Sequence, residues 1–159
     1  MSDRPGRTWR LFVLGLLMAL PLSGWAQSYL GKVCMISTVT TRDEGPVTPE
    51  RFSGEFEVSN LGGTTYSVAG TVPSSTGEPM VATGMATVVG GDLYFNMVMT
   101  QAHTDGWRDT GINRTRLSLA TMAGTFYEIG HDYNAVTRTY DQTRYTAGTV
   151  ELSLSACQR

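Results

Sequence analysis

Charge is scarce in this chain: 16% of its residues are Asp, Glu, Lys or Arg, against about a quarter in an ordinary soluble domain. A coiled coil, a long solvated helix or a disordered chain would need more charge and fewer apolar residues than the 41% present. Lysine is nearly missing, with Lys32 alone among the 12 basic residues, and no basic cluster points to nucleic acid. Cysteine is limited to Cys34 and Cys157, and no CxxC or HxxxH spacing suggests a metal site. The only histidines are His103 and His131. No GxSxG, HExxH or phosphate-cradling glycine loop occurs, so neither a catalytic residue nor a cofactor is expected and the chain reads as a non-enzyme. No segment shows a convincing helical period.

What is present begins with targeting. Arg4, Arg7 and Arg10 precede an apolar run from Leu11 to Leu22, which ends in small residues at Gly24 and Ala26. That order describes an export signal cleaved after Ala26. The run is too short to span about 30 Å of hydrocarbon as a helix. Residues 27–159 then form one domain of formal net charge −4, destined for the periplasm or the extracellular space. In such an oxidising compartment two cysteines near opposite ends of the domain read as a disulfide.

The domain holds period-two alternation punctuated by Gly, Pro, Asn and Asp. With 18 Gly and 22 Thr, this composition favours strands joined by turns. Eight strands are expected, at about 30–40, 51–60, 64–72, 80–89, 93–103, 111–121, 125–133 and 145–156, with an additional short one within 136–140. Hairpin-length connections suggest an all-β, antiparallel up-and-down meander, and closure into a barrel would remove its edges. Closure also brings Cys34, near the first strand's start, beside Cys157, near the last strand's end. Their parities place both thiols on the polar side. The connections after the second, fourth and sixth strands are short. Those after the first, third, fifth and seventh are expected to be longer loops gathered at one end, where binding would sit.

The apolar alternation collects Phe56, Val58, Tyr66, Val68, Leu93, Phe95, Leu117, Leu119, Tyr127, Ile129, Val150, Leu152 and Leu154 on one face. Glu55, Glu57, Arg114, Arg116, Glu128, Asp132 and Glu151 fall on the other. Glu128 and Asp132 are expected to pair across strands with Arg114 and Arg116. Apolar face inward, the chain is a soluble barrel able to hold one small ligand. Apolar face outward, it is a small outer-membrane barrel, an alternative that the missing terminal aromatic in SLSACQR disfavours.

An export signal, about 130 remaining residues and eight strands make the chain similar to the lipocalin and avidin group of secreted, ligand-binding barrels. The resemblance is one of architecture. Gly31-Lys32-Val33 stands where many lipocalins carry Gly-x-Trp, and no binding residue carries over.

The candidate site follows from parity at the long-loop end. Met97 and Met99 lead to Gln101 and His103 on the fifth strand, and Tyr127 leads to His131 and Tyr133 on the seventh. Trp107 stands in the loop above. Apolar residues below a few convergent polar ones suit a small apolar ligand. A protein-binding barrel that uses its long loops, with Trp107 as anchor, is the alternative.

Overall fold

The computed structural model describes residues 28–43, 45–74, 78–155 and 157. Eight strands follow one another there: β1 (Ser28–Arg42), β2 (Gly45–Gly62), β3 (Thr65–Val72), β4 (Met80–Val89), β5 (Asp92–Ala102), β6 (Trp107–Ser118), β7 (Ala123–Asn134) and β8 (Thr139–Ser153). The expected leader, 1–26, and its cleavage junction lie outside the described residues. Each strand pairs antiparallel with the next, and β8 returns to pair with β1, so the sheet closes into a barrel. Closure satisfies the backbone edges that an open sheet of such low charge would expose. At the closing seam Cys34 lies opposite Ser153 in register, and Cys34 is bonded to Cys157, as the parities required.

Alternation fills the inside. Phe56 and Val68 come from β2 and β3, Leu93, Phe95 and Met97 from β5, Leu117 from β6, and Val150 and Leu152 from β8, all buried in one cluster. They form an apolar floor toward the end where β4 turns into β5. That turn is Gly90-Gly91, both with positive φ, which a two-residue hairpin of this twist needs. The interior is narrow enough that some inward positions take no side chain. A Cβ on Gly70 or Gly84 would collide with the backbone of the neighbouring strand.

The connections differ from expectation at the other end. β1 and β2 stay paired out to Arg42 and Gly45, so most of TRDEGPVTPE is strand. Pro46 and Pro49 are tolerated because β2 pairs with β3 only from Glu55 onward, leaving an open edge before it. The short strand expected within 136–140 is in fact the start of β8, which begins at Thr139 opposite Asn134. Among the described residues, 103–106 and 135–138 are four-residue connections at this mouth.

β7 shows the larger correction. The expected inward residues Tyr127 and Ile129 are 38% and 44% exposed, while Phe126 is buried. The turn before β7 occupies residues 119–122, with the Met122 amide donating to the Ser118 carbonyl at 2.8 Å. This is earlier than Met122-Ala123-Gly124, and an odd shift in turn placement exchanges the two faces of a strand. Volume explains the choice. Gly124 sits in register between Leu117 and Val150, and Phe126 sits between Thr115 and Gly148, so small faces large across three strands. Leu119, in the turn, and Leu154, beyond β8, are also exposed rather than inward.

The ion pairs change with the faces. Glu128 points inward, Asp132 pairs with Arg144 at 2.7 Å, and Arg116 pairs with Asp92 at 2.6 Å. Outside, Lys32–Glu55 and Arg51–Glu151 line β1, β2 and β8, while Arg42 pairs with Glu50 at the mouth.

Candidate ligand cavity at the barrel mouth

Above the apolar floor the inner surface turns polar. On β6 the inward positions climb from Leu117 through Thr115 and Asn113 to Gly111 and Asp109. On β7 they climb from Phe126 through Glu128 and Gly130 to Asp132, and on β5 from Met97 through Met99 to Gln101. Met80, Arg42 and Thr146 complete the circle from β4, β1 and β8.

Two adjoining cavities open here. The inner one, about 220 Å³, has Phe52, Val72, Met80, Met99 and Phe126 as apolar wall and Gln101, Asn113 and Glu128 as polar groups. The outer one, about 270 Å³, lies between Asp109, Asp132, Arg144 and Gly130. Arg42, Met80, Met99, Glu128 and Thr146 border both. Glu128 therefore stands at the junction.

Its placement depends on a neighbour without a side chain. A Cβ on Gly111 would come within 2.9 Å of Glu128 Oε1, so the glycine gives the carboxyl its room. Asn113 Nδ2 donates to Glu128 Oε2 at 3.5 Å, and Thr115 Oγ1 donates to Asn113 Oδ1 at 2.9 Å. Burial pushes the Glu128 pKa up and the Asp109 charge adds to this, while the Asn113 bond works against it. The other charges at the mouth are committed. Arg42 holds Glu50 at 2.7 Å, Arg144 holds Asp132 at 2.7 Å, and His103 Nε2 meets Asp109 Oδ2 at 2.8 Å.

The residues expected to form the site divide between inside and outside. Met99 and Gln101 line the inner cavity, with Gln101 Nε2 donating to the Glu78 carbonyl at 2.8 Å. Met97 is buried in the core cluster below. His103 lies at the rim on Asp109. Trp107 opens β6 opposite Asn134 and is half-buried rather than free in a loop. Tyr127 and His131 face outward. Tyr127 accepts from Arg114 Nη1 at 3.3 Å, and His131 Nδ1 lies 3.3 Å from Thr143 Oγ1. With Ile112 and Ile129 they border a shallow cleft on the outer wall instead. Tyr133, past a register shift in β7, packs on Tyr140 with ring centroids 4.8 Å apart.

Glu128, Asn113, Asp132, Arg42, Phe52 and Met80 belong to the mouth without having been expected there. A signal for the β7 members existed in TFYEIGHDY: Phe126, Glu128, Gly130 and Asp132 share a parity that sets a glycine among larger residues, as the interiors of small barrels often do. Hydrophobicity alone favours the opposite set. Among the described residues no group of three or more His, Cys, Asp or Glu could hold a metal ion. No protein-family model matches the chain, and no curated protein matches it either.

Proposed function

We propose that this protein is an exported binding barrel that holds one small, mostly apolar ligand in the mouth cavity, with the ligand's polar end toward Glu128. The observation carrying this reading is the change along the inner wall from the floor of Leu93, Phe95 and Met97 to the ring of Gln101, Asn113 and Glu128 around an open volume. Ligand sites combine apolar walls with few convergent polar groups in this manner. Export is supported by the leader-like first 26 residues and by the Cys34–Cys157 bond, which persists in oxidising compartments. The outer wall supports a water-facing barrel over a membrane-inserted one. Lys32, Arg51, Glu57, Arg114 and Arg116 are all exposed there, and a lipid-facing Lys or Arg near the bilayer midplane would cost about 2–4 kcal/mol.

The test is titration with an environment-sensitive apolar fluorophore. One-site saturation is expected, and Met99→Trp, which fills the cavity, should abolish it while leaving the thermal melt cooperative. Absence of binding to the wild type, or binding indifferent to Met99→Trp, defeats the reading.

A protein-binding role has one observation of its own. Val98, Ile112, Ile129 and Tyr145 lie in consecutive cross-strand register on the outer wall, each more than 40% exposed. Contiguous exposed apolar surface of this kind marks interaction sites. Sedimentation at rising concentration, with Ile112→Asp as control, detects self-association through that row.

A further inference from the structure

We infer that the ligand of the mouth cavity is a small organic cation, an amine or ammonium head on an apolar body, with the head seated at Glu128 and the body against Phe52, Phe126, Met80 and Met99. This rests on the mouth-binding reading above and adds the charge of the ligand to it.

The argument is one of unmatched charge. Asp43, Asp109, Glu128 and Asp132 border the two cavities, against Arg42 and Arg144. Both guanidinium groups already hold carboxylates, Arg42 that of Glu50 outside the cavity and Arg144 that of Asp132. Asp109 has His103, and Asp43 Oδ1 accepts from the Tyr145 amide at 2.6 Å. Among the described carboxylates bordering the cavities, Glu128 is the one held by neither an ion pair nor a short hydrogen bond: Asn113 Nδ2 lies 3.5 Å away, near the limit of a hydrogen bond, against 2.6 Å for the amide on Asp43.

A ligand that enters displaces the water solvating this carboxylate. An uncharged ligand would leave the carboxylate desolvated and uncompensated, and an anion would add repulsion, whereas a cation replaces the lost solvation directly. The walls fit the body that follows the head. Phe52 and Phe126 offer apolar ring surface to it. Met80 and Met99 are unbranched and adapt to the shape of an apolar body. Gly111 and Gly130, in register across β6 and β7, leave the space beside Glu128 free of side chains.

The experiment uses three probes with one body and different heads, n-hexylammonium, hexan-1-ol and hexanoate, titrated into the oxidised, disulfide-bonded chain and followed by amide chemical shifts. The ammonium should bind at least about tenfold more tightly than the alcohol, shifting residues around Met99 and Glu128, with hexanoate weakest. In Glu128→Gln the ammonium and the alcohol should bind alike. In Glu57→Gln, which removes a charge from the outer wall, the preference should survive. Equal or tighter binding of the alcohol or the carboxylate overturns the inference while leaving the mouth as a ligand site. So does an ammonium preference that persists in Glu128→Gln or vanishes in Glu57→Gln. If none of the three probes shifts the mouth residues, the mouth-binding reading falls, and the cation with it.

Discussion

Burial of Glu128 at the mouth shapes how the fold responds to pH. Its pKa is raised by burial first and by the Asp109 charge second, above the ordinary 4.5. The folded state therefore binds this proton more tightly than the unfolded chain does. Stability is greatest below the ordinary value, falls as pH rises through the raised one, and then levels. Glu128→Gln removes that dependence. Its melting temperature should match the wild type near pH 4 and exceed it at pH 8, as thermal melts across that range would show; parallel curves would mean that Glu128 is not desolvated. An ionisable group that destabilises an otherwise well-paired interior fits a site kept for binding. The inward glycines separate in the same way. A Cβ at Gly84 would run into the Asn96 carbonyl and the Met97 backbone, which cannot yield. Gly84→Ala should cost about 3 kcal/mol in urea unfolding. At Gly130 the nearest atom to a new Cβ is the Thr110 carbonyl at 3.5 Å. Gly130→Ala should leave stability within about 0.5 kcal/mol, or raise it slightly through the unfolded chain's lost entropy.

β7 is the element on which the interior turns. Its outward set, with Tyr127, Ile129 and Tyr133, is the more apolar, yet the structure buries the set containing glycines. The consequence is measurable with two neighbouring substitutions. Phe126→Ala should cost about 3–5 kcal/mol, because a buried ring is lost beside Gly148, which cannot fill the space. Tyr127→Ala should cost less than about 1 kcal/mol, since its ring lies on the outer wall and its hydroxyl only accepts from Arg114. Denaturant midpoints for the two variants decide the matter, and reversal of the order would place Tyr127 inside. The β1–β2 and β7–β8 hairpins follow a related logic. β2 runs beside β1 before its pairing with β3 begins at Glu55, and β8 runs beside β7 beyond its pairing with β1, which reaches Thr146, so the mouth is walled largely by strands.

For the whole molecule the ring of strand pairing closes from β8 back to β1, and the disulfide joins β1 to the residues after β8 across that closure. Cys34 and Cys157 are 123 positions apart. Chain-entropy reasoning gives a crosslink of that span about 5 kcal/mol at most, through restriction of the unfolded ensemble. Reduction should therefore lower the melting temperature by several degrees, to a limit of about 20 °C, while far-ultraviolet circular dichroism keeps its β signature, because the β1–β8 pairing from Cys34 to Arg42 does not depend on the bond. Loss of the β signal on reduction would show that the seam is held by sulfur alone.

Local chemistry made much of this readable in advance. Period-two alternation and glycine turns announce eight antiparallel strands, since side-chain alternation is a property of each strand by itself. The inward residues of β5, from Leu93 to Gln101, follow from the same rule, and the parity of the two cysteines points to closure. The faces of β7 were not legible, nor were the true lengths of the hairpins at the mouth. Which face of a strand turns inward depends on turn placement to within one residue, and on whether neighbouring strands offer a glycine opposite each ring. Gly124 beside Leu117 and Val150, and Phe126 beside Gly148, are matches between residues far apart in the chain. That complementarity exists only when the barrel is assembled, and it is what brings Glu128 inside.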